Sequence, residues 1–233
     1  MEAADLGPTN GALVRPRDLV EVSLPGERWE ELTSANEAFG LLVGARVVWT
    51  VPLSVQRTPL EDIASGRHDR EWRELGELVA RGGSPVVRIV LAEGGEPTRS
   101  AAAFRRAAAA VRQTPGVAVE WGVPTATPPA VWAAAWPGDD VVDIVGIPLA
   151  AGASWTAQVA APGGLADWST WARSRHRRLG VHWELDADVD ADRVARVADW
   201  LDVAARTSVL AYDSVATTGE TRSDALTTYR ELH

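Results

Sequence analysis

The sequence predicts an α/β domain built as a β/α barrel. Three observations predict it. Apolar, β-branched runs alternate along the chain with segments of helical period. Several runs, such as VVRIVL and VVDIVGIPL, are apolar nearly throughout, the pattern of parallel strands covered on both faces. No G-x-G-x-x-G follows the first run, which lowers the dinucleotide-binding open sheet relative to the closed barrel.

Taken in order, the expected strands are Leu19–Leu24, Arg46–Val51, Val86–Leu91, Val117–Gly122, Val141–Pro148, Leu179–Trp183 and Ser208–Tyr212. Between them run amphipathic helices. Trp72, Leu75, Leu78 and Val79 mark one apolar stripe, Phe104, Ala108 and Val111 a second, and Val194, Val197 and Leu201 a third. The third follows the acidic stretch DADVDAD, and acidic residues at a helix start complement its dipole. A short last helix is expected at Asp224–Leu232. Breakers such as SGRHD, RGGSP, EGGEP, PTATPP, WPGDD and APGG separate the elements. Seven strands are one short of the eight of a TIM-type (β/α) barrel. The expected barrel is therefore incomplete, its first βα unit shortened to Ala12–Val14 or missing. No fixed repeat or low-complexity linker divides the chain, so residues 1–233 are read as a single domain.

Composition narrows the function classes. The 233 residues are enough for one sizeable core. There is no cysteine, which excludes disulfides, thiolate metal sites and cysteine nucleophiles. All 23 basic residues are arginine, consistent with a GC-rich, actinobacterial-like composition, and no lysine is present to form a Schiff base. A net charge of −9 argues against a nucleic-acid partner. No apolar run is long enough for a membrane span, and the N-terminus lacks the basic-then-apolar order of a signal peptide. The chain as given reads as cytoplasmic, or as secreted if a leader was removed.

His68, His176, His182 and His233 show no metal-ligand spacing, and neither a G-x-S-x-G elbow nor a P-loop occurs. No metal or cofactor is expected. What remains for chemistry is carboxylates, tryptophans and polar residues at strand ends. Two strands run straight into a glutamate, at Glu93 and Glu184, and the C-terminal rim of a barrel is where active sites form. Asp213 is a third such carboxylate. Asp139 and Asp140 in PGDD read as turn or helix caps. Glu21, Glu120 and His182 lie within strands and face either the interior or the exterior; an interior carboxylate there needs a partner such as an arginine. Eleven tryptophans stand beside two tyrosines and two phenylalanines. Most are expected in the core, a few along a groove where indoles stack on sugar rings.

Several stretches together resemble glycoside hydrolase family 26, the β-mannanase family. They are IASGRHD with its following helix, VVRIVLAEGG, GVAVEWGVPTA, WPGDDVVDIVGIPL and RSRHRRLGVHWEL, supported by VEVSLP and RVVWTVP. WPGDDVVDIVGIPL is the most specific of them, and the resemblance runs over about residues 18–213. It implies a (β/α)8-type barrel and a retaining two-glutamate mechanism, with Glu93 as acid/base and Glu184 as nucleophile. At both strand ends two registers are open. Counted from Pro85, Glu93 holds the interior position; counted from Arg88, Ala92 does. One alignment of the later strand puts Glu184 at the nucleophile position and another puts Trp183 there, and a slip of one residue exchanges faces.

Three functions stay open. The first is a retaining β-glycan hydrolase. The second is an inactive barrel that binds a glycan or a partner, with Trp121, Trp155 and Trp183 as platforms. The third is a barrel recruited to non-hydrolytic small-molecule chemistry, with Trp183, Glu184, Tyr212 and Asp213 lining its pocket.

Overall fold

The computed structural model describes residues 19–24, 26–32, 46–81, 86–92, 96–124, 128–149, 154–185, 189–217, 224–225 and 227–228. Seven strands form one sheet: β1 (Leu19–Ser23), β2 (Arg46–Pro52), β3 (Val86–Val90), β4 (Ala118–Gly122), β5 (Ile144–Pro148), β6 (Arg178–Leu185) and β7 (Leu210–Thr217). Every pair is parallel, and spatial order follows chain order from β1 to β7. A doubly wound sheet reverses its order at a switch point; this one does not. The sheet curls until Glu21 of β1 accepts a hydrogen bond from Ser214 of β7 at 2.6 Å. Among the described residues no strand ladder joins these two edges, so the molecule is an incomplete TIM-type barrel.

Helical segments return the chain between strands: α1 (Leu60–Ala64), α2 (Asp69–Arg81), α3 (Pro97–Val111), α4 (Pro129–Trp132), α5 (Trp155–Ala160), α6 (Leu165–Ser174) and α7 (Ala191–Arg206). The local reasons are legible. α2 buries Trp72, Leu75, Gly76, Leu78 and Val79 on one face. A Cβ at Gly76 would stand 2.6 Å from the carbonyl oxygen of Val111, so the glycine lets α2 and the end of α3 close up. α3 starts with Pro97, whose missing N–H needs no partner there, and the Glu96 side chain accepts from the Thr98 and Arg99 amides. Asp190 caps α7 in the same way through Arg193 N. The expected Ala12–Val14 strand lies outside the described residues. Of the last helix, residues 224–225 and 227–228 are described and helical. No described helix is long and apolar enough to cross a membrane.

Strand alternation sorts the side chains into two layers. The convex face carries Val47, Trp49, Val87, Ile89, Val119, Trp121, Val145, Leu179, Val181 and Trp183, all buried beneath the helices. On the concave face Val48, Val86, Ile144 and Tyr212 form a separate apolar cluster. β7 carries an irregularity here. Leu179 pairs with Leu210, but the next residue, Gly180, pairs with Tyr212, so Ala211 is an extra residue. This bulge turns Tyr212 and Ser214 to the interior and puts Asp213 in register with convex Val181.

Candidate functional site

A polar layer lies above the apolar cluster inside the barrel. It is assembled from six strands: Glu21 of β1, Thr50 of β2, Arg88 of β3, Glu120 of β4 and His182 of β6, with Tyr212 and Ser214 of β7 closing it. His182 stands at its centre. Its Nε2 is 2.7 Å from Glu120 Oε1 and its Nδ1 is 3.0 Å from Glu21 Oε2. Arg88 spans the same two carboxylates, with one terminal nitrogen 3.2 Å from Glu21 Oε1 and Nε 3.2 Å from Glu120 Oε1. Thr50 Oγ1 donates to Glu21 at 2.8 Å, Ser214 Oγ lies 2.7 Å from His182 Nδ1, and the Tyr212 hydroxyl donates to Glu120.

The layer is dry. The side chain of Glu120 is fully buried, and those of His182, Arg88 and Glu21 are 5%, 8% and 15% exposed. Two glycines make room for it. A Cβ on Gly146 would overlap the Glu120 carboxylate, and one on Gly180 would stand 2.5 Å from Glu120 Oε2. Gly122 lets the Arg88 side chain pass, since a Cβ there would lie 3.1 Å from Arg88 Nε.

Electrostatics couple these groups. Burial pushes the Glu21 carboxyl up, but hydrogen bonding and charge from His182, the Arg88 charge and the Ser214 hydroxyl outweigh it and hold it well below the usual carboxylate range. Burial and the Arg88 charge push His182 down, yet the Glu120 charge and hydrogen bonds to Glu120 and Glu21 prevail and raise it. Burial and then the Glu120 charge drive the Tyr212 hydroxyl well above its ordinary range. With His182 as imidazolium, both ring nitrogens donate to carboxylates, and two positive charges balance two negative ones. No grouping of His, Asp and Glu among the described residues is arranged to hold a metal ion.

The residues singled out from the sequence fall in different places. Glu93 lies outside the described residues. Glu184 pairs through its backbone with Ala216, two residues beyond His182, near the C-terminal end of β6. Trp183 and Trp121 are 4% and 0% exposed in the helix-facing core, which gives both indoles a packing role and no face toward a solvent-borne ring. Trp155 opens α5 on the C-terminal side of β5, half-buried against the core. Tyr212 lies within the polar layer, and Asp213 is buried in register with Val181. In β3, Val86, Arg88 and Val90 share the concave parity, and Leu91, just past the strand, is buried on the other side. Asp140 receives a two-pronged bond from Arg105, and Asp139 accepts from the Trp136 indole, both surface ties. A cavity of about 190 Å3 lies between the end of β5, α5 and Leu165; no residue of the polar layer lines it.

Sequence reasoning left Arg88, Thr50 and Ser214 out of the site and left the facing of Glu21, Glu120 and His182 open. One signal was available: four otherwise apolar strands each carry one ionisable residue near the middle, in LVEVS, VVRIV, AVEWG and LGVHW.

No protein-family model matches the sequence, and no curated protein matches it. Solved structures do. A modular endo-β-1,4-mannanase of glycoside hydrolase family 26 from Cellulomonas fimi superposes with a TM-score of 0.60 at 13% identity, over 88% of this chain and 56% of that one. A family 26 β-mannanase from Bacteroides ovatus gives 0.59 at 10% identity, over 92% and 78%. An endo-β-N-acetylglucosaminidase from Cordyceps militaris gives 0.50 at 14% identity. The chain thus spans little more than half of the Cellulomonas structure, and the likeness is one of fold: a glycoside-hydrolase-like barrel.

Proposed function

We propose that the chain acts on a β-linked glycan as a retaining hydrolase of the family 26 type. Glu184 is the nucleophile and Glu93 the acid/base. The observation that carries this reading is the parity of β6. His182 lies on the concave side and Trp183 on the convex side, so the backbone position of Glu184 has the concave parity, near the C-terminal end where barrel enzymes do their chemistry. Of the two registers open in the sequence, this is the one that serves a nucleophile. The fold likeness to mannanases is consistent with it.

In this mechanism Glu184 attacks the anomeric carbon while Glu93 protonates the departing glycosidic oxygen. Water then enters, Glu93 removes its proton, and the glycosyl–Glu184 ester is released. Of the three candidate platforms, Trp155 is the one that is only half-buried and so offers an indole for stacking on a sugar.

A second reading has its own support. Ala92 follows Arg88 and Val90 at the concave parity of β3, and it carries no carboxyl group. That favours a barrel that binds a glycan without cleaving it.

The test is hydrolysis of mannan, mixed-linkage β-glucan and aryl β-glycosides by the wild type, Glu93→Gln and Glu184→Gln. Turnover in the wild type and its loss in both variants is the expected result. Equal turnover in all three would overturn the two-glutamate mechanism. Binding without turnover would select the second reading.

A further inference from the structure

The polar layer is an unusual investment for a barrel interior, because four charged side chains must be desolvated to build it. Its geometry joins β1, β3, β4, β6 and β7 around a single imidazole. Every ionisable group facing His182 is accounted for among the described residues. Glu21 comes from β1, Arg88 from β3, Glu120 from β4 and Tyr212 from β7, with the Ser214 hydroxyl completing the set. The charges of this set cancel only while His182 carries its proton. Glu184 stands two residues further along the same strand, which puts its backbone about 6–7 Å from that of His182.

We propose that His182, clamped between Glu21 and Glu120, is a positioning residue whose buried positive charge, two residues before Glu184 on the same strand, favours the ionised form of that carboxyl group for attack. This rests on Glu184 being the nucleophile. Without the imidazolium the layer carries one net negative charge, and ionising a further carboxyl group borne by the same strand becomes harder. The upward displacement of the His182 pKa by its two carboxylate partners agrees with a ring that stays protonated while Glu184 titrates. For an imidazolium and a carboxyl group two residues apart on one strand, the expected effect is about one pKa unit.

The test is 13C NMR titration of the Glu184 carboxyl, assigned by its disappearance in Glu184→Gln. Two variants change the layer in opposite senses. His182→Gln leaves it one charge too negative and should raise the Glu184 midpoint by about one unit. Glu21→Gln leaves it one charge too positive and should lower the midpoint. Ser214→Ala removes a neutral hydroxyl from the same network and should leave the midpoint in place. A purely structural role for the layer predicts no such reversal of sign. Shifts in the same direction, or none, overturn the proposal. If His182→Gln does not fold, Glu21→Gln alone decides it, because an unmoved or raised midpoint is sufficient to reject it. Where the wild type hydrolyses a β-glycan, the acid limb of kcat/KM should move with the NMR midpoint in each variant. Opposite NMR shifts without hydrolysis would uphold the electrostatic coupling and remove the hydrolase reading. Hydrolysis without opposite shifts would do the reverse.

Discussion

Replacing Arg88 by methionine is the sharpest probe of how the barrel interior holds together. The side chain is 8% exposed and contacts Glu21 and Glu120 at 3.2 Å each. Methionine retains most of the aliphatic volume, so the variant isolates the charge. Its removal leaves two buried carboxylates sharing one imidazolium. Taking one partner from a buried ion pair destabilises by about 3–5 kcal/mol. For a domain of this size each kcal/mol corresponds to about 2–4 °C, so the midpoint should fall by about 6–20 °C. Thermal and urea unfolding at pH 6, with far-UV circular dichroism as the readout, would measure it. The double variant Arg88→Met/Glu120→Gln removes the excess charge as well. It should lose less than the two single changes together, by about 1–3 kcal/mol. A loss below about 1 kcal/mol in the single variant, or strict additivity in the double one, would refute the claim that Arg88 balances these carboxylates.

Four other outcomes follow from the same geometry. The His182 pKa lies above its ordinary 6.5, so the stabilisation it brings is complete below that value and is lost as pH rises through the raised one. Glu21 lies below its ordinary 4.5, so its contribution is complete above that value and is lost as pH falls through the lowered one. Stability should therefore peak between about pH 4.5 and 6.5, and calorimetry should show the alkaline decline flattened in His182→Gln; parallel curves would contradict this. Gly146→Ala places a methyl group where the Glu120 carboxylate sits and should cost about 1–3 kcal/mol in urea melts, with partial recovery in Gly146→Ala/Glu120→Ala. Trp183→Ala should destabilise by about 3–5 kcal/mol as a core truncation, and a glycan KM measured well below its melting point should not move. Trp155→Ala should do the opposite, weakening glycan binding in affinity electrophoresis with a smaller effect on stability; unchanged mobility would remove Trp155 as a platform.

Much of the scaffold is legible in the amino-acid sequence. Each of the seven expected strands overlaps an observed one, the last shifted from Ser208–Tyr212 to Leu210–Thr217, because their β-branched cores reflect burial on both faces, a local property of composition. The helices with strong apolar stripes, α2, α3 and α7, were equally visible, and their caps at Glu96 and Asp190 follow ordinary local chemistry. α5 and α6 left weaker traces, because the segment ASWTAQVAAPGGLADWSTW mixes small residues, glycines and indoles without a clean stripe. The strand ends were ambiguous for a different reason. A strand has a period of two, so an error of one residue reverses every facing, and neither VVRIVLAE nor LGVHWE carries a local mark that sets the phase.

By itself, then, the sequence determined an incomplete parallel β/α barrel, since alternation of apolar runs and helical stripes is written in local order. Only the tertiary structure decided which side chains meet. The extra residue at Ala211 turns Tyr212 inward, and Gly146 and Gly180 open a space that neither strand defines alone. Four strands must be brought together before Glu21, Arg88, Glu120 and His182 can neutralise one another. A buried charge is tolerable only beside its partners, and the partners of Glu21 lie 67 and 161 residues away along the chain.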